Sequence, residues 1–284
     1  MQTIHLVALD MDGTLLDGQK KVSPRTLQAL RTLKEKGIPA AFATGRPLAE
    51  VVIYPELMGL VPYGVLTSGA MVMHMDSGKI IREDTIPLEA ALSALRLARQ
   101  EDVVPHLMTR RHSVCLAEDI ERMTDHHMAV YTPMYRAVCV KPTSMEDYLI
   151  SHGDELLKFN FYHTSIQARE RSERRMKELP LQLVHAEYSS LECTAPGAAK
   201  DEGIRRLCAY LGTTAEHVLA LGDSDNDTAM LKACGASVAM GNAPEAVQSA
   251  ARYVTDDNDH DGAAAAIERF LPFMAPVNGG QKDA

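Results

Sequence analysis

The sequence lacks any paired pattern of cysteines. It has five in 284 residues, with no C-x-x-C pair among them. They are Cys115, Cys139, Cys193, Cys208 and Cys234. An odd, scattered set argues against a disulfide framework and against a zinc site. The cysteines therefore indicate a reducing compartment.

An excess of positive charge and long hydrophobic runs are also missing. The chain has 29 Lys and Arg residues against 38 Asp and Glu, for a formal net charge of −9. This balance leaves no basic footprint for nucleic acid or an anionic membrane. No apolar run reaches the length that spans a bilayer, and no signal-peptide pattern opens the sequence. We therefore expect a cytoplasmic protein with neither nucleic acid nor membrane as a partner.

Apolar strands alternate with helices at the beginning of the chain. Ser23 and Pro24 are typical of a helix start, and Gly37 is placed to end that helix. The apolar segments on either side predict strands at 4–9, 38–43 and 64–67, with a further helix at 48–57. Strands that are apolar throughout, joined by helices, indicate a parallel sheet covered on both faces.

The same order returns late in the chain, where strands are predicted at 218–221 and 236–239 between helices. The middle of the chain has a different sequence pattern, in which predicted strands alternate with predicted helices and basic residues are frequent. We predict an α/β fold in which a Rossmann-like parallel-sheet core is interrupted by an inserted α/β cap domain. The predicted boundaries are 1–83 and 191–272 for the core, 84–190 for the cap and 273–284 for a disordered tail.

Two acidic motifs follow predicted strands. Asp10 and Asp12 lie two apart, so that both carboxylates can face one site. Asp223, Asp225 and Asp227 follow a later strand, and this density of oxygen ligands indicates a hard cation. In open α/β sheets, ligands bind at the carboxyl ends of the strands, where both motifs are expected.

Two further motifs could contact an anion. Thr44 and Gly45 follow the second strand, where a hydroxyl group and a backbone N–H can hold a phosphoryl oxygen. Lys200 lies near the start of a helix, where an ammonium needs an anion close by. Taken singly, each is equally typical of an ordinary turn or of a solvated lysine.

Together and in this order, the four motifs resemble the haloacid dehalogenase superfamily, and within it the Cof-type phosphatases with a large α/β cap. The resemblance covers the chain to about residue 272. It includes the D-x-D-G-T-L start at Asp10, T-G-R from Thr44, the late Lys200, and G-D-x-x-N-D from Gly222. Two departures are Ser68-Gly69, where the family usually has asparagine-glycine, and Asp201, where glycine is common.

The resemblance implies a Mg²⁺-dependent phosphatase that acts on a small phosphorylated metabolite, with sugar phosphates the leading class. Asp10 would attack phosphorus to form an aspartyl-phosphate, and Asp12 would act as general acid and then as base. Asp10, the backbone carbonyl of Asp12 and Asp223 would hold the metal, with Asp227 as an outer partner. The phosphoryl oxygens would be bound by Met11, Thr44, Gly45, Lys200 and Asn226.

Other functions stay open at this stage. A phosphotransferase or mutase can use the same fold and the same nucleophile. A phosphoacceptor signalling module also clusters aspartates, a hydroxyl residue and a lysine at strand ends, although it is shorter and carries no cap. The sequence does not specify the metabolite, the cap residues that contact it or the oligomeric state.

An acidic segment near the end of the chain satisfies the EF-hand loop pattern, with Asp257, Asp259, Asp261, Gly262 and Glu268 at the required spacing. A calcium loop needs a helix on both sides, however, and residues 252–255 are typical of a strand. We therefore expect a turn that leads into a helix, and metal binding here stays an open alternative.

Overall fold

A computed structural model describes residues 2–277 of the chain. The predicted tail residues Asn278, Gly279, Gly280 and Gln281 lie outside the described residues. The strands, in chain order, are β1 (Leu6–Leu9), β2 (Ala40–Ala43), β3 (Tyr63–Leu66), β4 (Met71–His74), β5 (Ile80–Glu83), β6 (Val103–Thr109), β7 (Ser113–Val114), β8 (Leu156–His163), β9 (Gln182–Ala186), β10 (Ser190–Thr194), β11 (Val218–Gly222), β12 (Ala236–Ala239) and β13 (Tyr253–Val254).

The α-helices alternate with these strands through much of the chain. They are α1 (Pro24–Glu35), α2 (Leu48–Val51), α3 (Leu88–Ala98), α4 (Ala117–Glu121), α5 (Thr132–Val138), α6 (Met145–His152), α7 (Ile166–Met176), α8 (Lys200–Leu211), α9 (Thr228–Ala233), α10 (Glu245–Ala250) and α11 (Gly262–Phe270). In the part of the chain that the structure describes, each helix is too short or too polar to cross a membrane.

The first of two compact units comprises residues 2–45, 54–82 and 199–277. Its sheet has the strand order β13-β12-β11-β1-β2-β3-β4-β5. The six strands from β13 to β3 are parallel to one another, and β4 turns back antiparallel to β3. Every residue of β1, β2, β11 and β12 is buried, as expected for a parallel sheet covered on both faces. This arrangement confirms the predicted Rossmann-like α/β fold.

Local sequence explains where the first helix begins and ends. The Ser23 side chain accepts a hydrogen bond from the Thr26 backbone N–H, and Pro24 occupies the first helical position. Leu30 and Leu33 are fully buried on the face of α1 toward the core. The helix ends before Gly37, as the sequence predicts. By contrast, α2 is much shorter than the predicted helix 48–57, because a residue that precedes proline, here Tyr54 before Pro55, disfavours helical backbone.

The second unit comprises residues 46–53 and 83–198. Its sheet has the order β7-β6-β8-β10-β9, and all the neighbouring strands pair antiparallel. One face of this sheet packs against α3, α6 and α7 through residues such as Leu107, Phe159 and Leu191. The other face contributes Val104 and Tyr162 to a cluster with residues of α4 and α5. In β6 and β8, neighbouring residues such as Val103 and Val104 therefore enter two separate cores.

These boundaries differ from the predicted ones. Residues 46–53 belong to the second unit, and so does all of β10, which a boundary at 190/191 would cut. The sequence missed β10 because polar residues such as Glu192 interrupt its apolar pattern, although the strand is buried. The predicted tail begins too early, since Met274 bridges to Ile4 and the Ala275 N–H donates to the Ile4 carbonyl at 2.9 Å.

Candidate active site

Two neighbouring strands of the first unit bring acidic residues to the same edge of the sheet. β1 pairs in parallel with β11, with Leu9 opposite Leu221. Asp10 follows β1, and its backbone N–H donates to the Leu221 carbonyl at 3.0 Å. Asp223 follows Gly222, the last residue of β11. The structure therefore brings the two predicted acidic motifs together at the carboxyl ends of adjacent strands, where open α/β sheets bind ligands.

Lys200 lies between two carboxyl groups of this edge. Its Nζ donates to Oδ1 of Asp10 and to Oδ1 of Asp227, both at 2.7 Å. All three residues are buried, with exposed fractions of 3%, 5% and 0% respectively. Lys200 is the first residue of α8, so the start of that helix carries the ammonium into the site.

Asp227 uses its second oxygen to fix the turn after β11. Its Oδ2 accepts hydrogen bonds from the backbone N–H groups of Asp223 at 3.0 Å and Ser224 at 3.1 Å. A side chain at Gly222 would place its Cβ 2.5 Å from Cγ of Asp227, so this position has room only for glycine. Both oxygens of Asp227 therefore accept hydrogen bonds, one from Lys200 and the other from the turn after β11.

The carboxyl group of Asp223 accepts hydrogen bonds from two other side chains. The Thr14 hydroxyl donates to its Oδ1 at 3.1 Å, and the Asn242 amide donates to its Oδ2 at 3.3 Å. Gly13 has φ +78°, and a Cβ there would lie 2.3 Å from Oδ2 of Asp223. Glycine in the D-x-D-G-T motif is therefore required both by its backbone conformation and by the approach of this carboxyl group.

The site holds more carboxyl groups than ammonium groups. Burial raises the pKa of Asp10 well above its ordinary value; Lys200 opposes this shift, while Asp227 and Asp223 add to it. Burial and Asp227 likewise raise the pKa of Asp223 to about 7. Burial alone would lower the pKa of Lys200, but Asp10 and Asp227 raise it above its ordinary value, so the lysine stays charged.

The same carboxyl groups form a candidate metal site. Asp10, Asp223 and Asp227 each offer an oxygen, and these oxygens lie within 4.8 Å of one another. Among the described residues, this is the one group of three or more potential ligands that meets that criterion. Carboxylate oxygens suit Mg²⁺. A divalent cation would also offset the charges of Asp227 and Asp223, which add to the effect of burial on the pKa of Asp10, so the residues fit such an ion.

Asp12 lies apart from this cluster, two residues beyond Asp10. Its Oδ1 accepts a hydrogen bond from Lys20 Nζ at 2.6 Å. Its side chain is partly exposed, at 27%, whereas the Asp10 side chain is almost completely buried, at 7%. The two carboxyl groups of the D-x-D motif therefore occupy different environments, and this is a condition for different roles.

The predicted phosphate-binding residues occupy several turns. Thr44 and Gly45 follow β2, the neighbour of β1, and the Thr44 carbonyl accepts from the Ser68 N–H at 3.0 Å. The Met11 side chain is fully buried. Asn226 lies in the turn after β11, where its Oδ1 accepts from the Ser224 hydroxyl at 2.9 Å. Strand pairing thus brings Thr44 to the same edge as Asp10.

Sequence reasoning missed three residues that contact the site. These are Thr14, Asn242 and Lys20. Thr14 belongs to the quoted D-x-D-G-T motif, and Asn242 follows β12, so the rule of strand ends could have found both. Lys20 carries no such signal, because its position depends on the conformation of a loop.

The EF-hand-like segment makes other contacts. Asp257 accepts from the Asp259 N–H at 3.0 Å, and Asp259 accepts from the Gly18 N–H at 2.8 Å. Glu268 lies in α11 and forms an ion pair with Arg25 of α1. As expected, the segment is a turn between strand β13 and helix α11, not a loop between two helices.

Comparisons with known proteins agree with this geometry. A family model described as haloacid dehalogenase-like hydrolase matches residues 7–267. The 5-amino-6-(5-phospho-D-ribitylamino)uracil phosphatase YcsE of Bacillus subtilis is 29% identical, with 94% of this chain and 96% of that protein covered. The pyridoxal phosphate phosphatase YbhA of Escherichia coli is 24% identical, with 95% of this chain and 99% of that protein covered.

Solved structures include similar folds. The crystal structure of a haloacid dehalogenase-like hydrolase from Bacteroides thetaiotaomicron has a TM-score of 0.81 and 26% identity, with 94% of this chain and 99% of that chain covered. The family match runs from the first strand to the last helix of the parallel-sheet unit. This chain therefore belongs to the haloacid dehalogenase-like hydrolases and is an enzyme.

Proposed function

We propose that this hydrolase is a magnesium-dependent phosphatase that forms an aspartyl-phosphate on Asp10 and releases phosphate from a small metabolite. One observation carries the proposal: a buried carboxyl group, Asp10, lies 2.7 Å from a buried ammonium, Lys200, at the carboxyl edge of a parallel sheet. A nucleophile held in a single orientation beside a fixed positive charge is what phosphoryl transfer requires of a protein.

The chemistry follows from the two carboxyl groups of the D-x-D motif. Asp10 attacks phosphorus, so that a bond forms from its carboxylate oxygen while the bond from phosphorus to the ester oxygen breaks. Asp12 gives its proton to the departing alkoxide. Asp12 then takes a proton from a water molecule, whose oxygen attacks phosphorus and restores the Asp10 carboxylate as phosphate leaves. Both residues end as they began.

The positive groups of the site act on the phosphoryl oxygens. Lys200 would contact these oxygens as well as Asp10, and Asp227 keeps the ammonium charged and in place. Thr44, Gly45, Asn226 and the backbone of Met11 would donate further hydrogen bonds. Fixed donors aimed at the charge that develops in the transition state lower the barrier without reorganisation.

Magnesium would be held by the carboxylates of Asp10 and Asp223 and the backbone carbonyl of Asp12. When bound, it supplies positive charge that neutralises the carboxylates and the phosphoryl group. Thr14 and Asn242 would orient the Asp223 carboxylate toward the ion, as outer hydrogen bonds do in metal sites.

The substrate class rests on the relatives. One is named for a phosphorylated ribityl compound and another for pyridoxal phosphate, and both names describe small phosphate monoesters. We propose a small phosphorylated metabolite, with sugar phosphates as the first class to examine.

Phosphate release from a panel of such metabolites, with and without Mg²⁺, tests the proposal. The wild-type enzyme should release phosphate only with the metal, and Asp10→Asn should lower turnover by at least about 10⁴-fold. Asp225→Asn is the matched control, because Asp225 is exposed in the same acidic motif. Substantial activity in Asp10→Asn would overturn the nucleophile, and transfer of phosphate to an added acceptor would favour a phosphotransferase.

A further inference from the structure

A second lysine contacts the D-x-D motif, and it lies outside the buried cluster. Lys20 Nζ lies 2.6 Å from Oδ1 of Asp12, with exposed side-chain fractions of 29% and 27%. The pair is therefore at the border of the site, neither buried in the core nor fully solvated.

The loop that carries Lys20 is built in an unusual conformation. Lys20 has φ +60°, in the left-handed region that non-glycine residues rarely adopt. The carboxyl group of Asp17 stabilises the turn, because its Oδ1 accepts from the backbone N–H groups of Gln19 at 2.8 Å and Lys21 at 2.9 Å. The Lys20 N–H donates to the Asp17 carbonyl at 2.9 Å.

Two hydrogen bonds also join the loop to a turn of the same unit that is distant in sequence. The Gly18 N–H donates to Oδ1 of Asp259 at 2.8 Å, and the Asn258 amide donates to the Leu16 carbonyl at 2.9 Å. These bonds join segments about 240 residues apart in sequence. The backbone of residues 16–21 is thus held on both sides, and Lys20 is directed toward Asp12.

Stability does not account for this arrangement. A partly exposed ion pair contributes little to folding, and the left-handed backbone of a lysine is unfavourable. Such strain persists only where surrounding structure enforces it, and it clusters at functional sites. Lys20, whose backbone is strained, contacts Asp12 through its side chain.

We propose that Lys20 is a positioning residue that holds the Asp12 carboxyl group in the orientation from which it exchanges a proton with the leaving oxygen of the substrate. This inference rests on the proposed phosphatase function. The ammonium of Lys20 contacts Oδ1 and restricts rotation of the carboxyl group, so the proton that Asp12 exchanges is carried by Oδ2. A displaced general acid loses much of its effect.

Leaving-group dependence separates this role from a structural one. An alkyl phosphate such as glycerol 2-phosphate needs a proton on its leaving oxygen, whereas p-nitrophenyl phosphate does not. Lys20→Met should lower kcat for the alkyl phosphate by roughly 10-fold or more, and kcat for the aryl phosphate by less than about 3-fold. Lys20→Arg, which keeps the charge and a donor, should recover most of the alkyl activity.

The adjacent lysine offers a matched control. Lys21 is exposed in the same loop, and its Nζ donates to the Gln19 side chain at 3.4 Å. Lys21→Met should leave the ratio of alkyl to aryl turnover unchanged. In an Asp12→Asn background, Lys20→Met should produce no further change in that ratio, because its target is gone.

Equal losses on the two phosphates, or a further change in the Asp12→Asn background, would overturn the positioning role while leaving the phosphatase intact. Failure of the wild-type enzyme on both phosphates and on the metabolite panel would instead overturn the proposed function, and the role of Lys20 with it. Circular dichroism of each variant distinguishes either result from misfolding.

Discussion

Asp10 in the first unit and Glu50 in the second are both buried carboxyl groups, with exposed fractions of 5% and 3%. Burial raises the pKa of each, yet the net shifts are opposite. The pKa of Asp10 is raised well above its ordinary value. The pKa of Glu50 is lowered, because His106, Ser113 and Arg46 outweigh its burial. Depth alone therefore does not decide the charge of a carboxyl group.

The neighbours explain the difference. Glu50 accepts a hydrogen bond from the Ser113 hydroxyl at 2.6 Å and lies 3.2 Å from Nε2 of His106. The network continues from His106 Nδ1, which is 2.9 Å from the hydroxyl of Tyr135, to Tyr162, 2.7 Å farther on. In this cluster, several donors contact a single carboxylate. Such a network holds its members in place and needs no added cation to balance its charge.

The Asp10 cluster is unbalanced. Its one ammonium is shared between Asp10 and Asp227, and the carboxyl group of Asp223 adds further negative charge. An arrangement that disfavours the charged form of Asp10, the proposed nucleophile, would be completed by a cation. The comparison teaches that a surplus of acceptors distinguishes the cluster for which we propose a reaction, whereas the Glu50 cluster supplies donors for its one carboxylate.

Lys200→Met should have the largest effect on the Asp10 cluster, because it removes the one ammonium that its carboxyl groups share. Without the ammonium, the buried carboxyl groups would take up protons and the phosphoryl oxygens would lose a fixed positive charge. We expect turnover to fall by about 10³-fold. Phosphate release at saturating Mg²⁺ measures the loss.

Lys232→Met is the control for this change, since Lys232 is an exposed lysine in α9. It should keep wild-type activity. If Lys200→Met retained more than about a tenth of wild-type turnover, the charge balance of the cluster would not be what drives the reaction.

Glu50→Gln tests the satisfied network. The amide keeps the shape of the side chain but removes the charge that accepts from Ser113, so we expect a loss of about 2 kcal/mol in the free energy of unfolding of the second unit. Urea denaturation followed by circular dichroism measures it. Glu83→Gln disrupts a partly exposed pair with Arg110 in the same unit and should cost less than about 1 kcal/mol. Equal losses in the two variants would contradict the comparison.

The sequence predicted that Asp10 and Asp223 lie at strand ends, because each follows an apolar strand, whereas the place of Lys200 in the same site was implied by the family resemblance. Once β1 and β11 are neighbours in a parallel sheet, Asp10 and Asp223 must meet at its edge. The helix start at Lys200 was also recognisable. Short-range patterns and one topological rule thus locate these residues.

The parts that were not predicted depend on contacts distant in sequence. β10 was missed because Glu192 is buried beside Lys158, at 2.5 Å, so its strand does not show an apolar pattern. Lys20 contacts Asp12 from a loop that is held in part by Asp259, far along the chain. No local pattern encodes a partner that the chain supplies more than two hundred residues later.

Magnesium should stabilise the folded protein more as pH rises, and this is the smallest of the expected effects. The pKa of Asp223 is raised from 3.8 to about 7, so its contribution to stability is present below about pH 4 and is lost as pH rises through 7. The metal competes with protons for the same carboxylates and replaces that lost contribution. Saturating MgCl₂ should raise Tm by roughly 5 °C at about pH 8 and by less than about 2 °C at about pH 5.5.

Thermal unfolding at matched ionic strength, with KCl in place of MgCl₂, separates specific binding from screening. Asp223→Asn cannot exchange a proton in this range, so it should lose most of the difference between the two pH values, while Glu50→Gln should retain it. An equal rise in Tm at both pH values would mean that the surplus of carboxylates does not govern metal binding. A rise confined to high pH in the wild type, and absent from Asp223→Asn, would tie the imbalance of the Asp10 cluster to the cation that completes it.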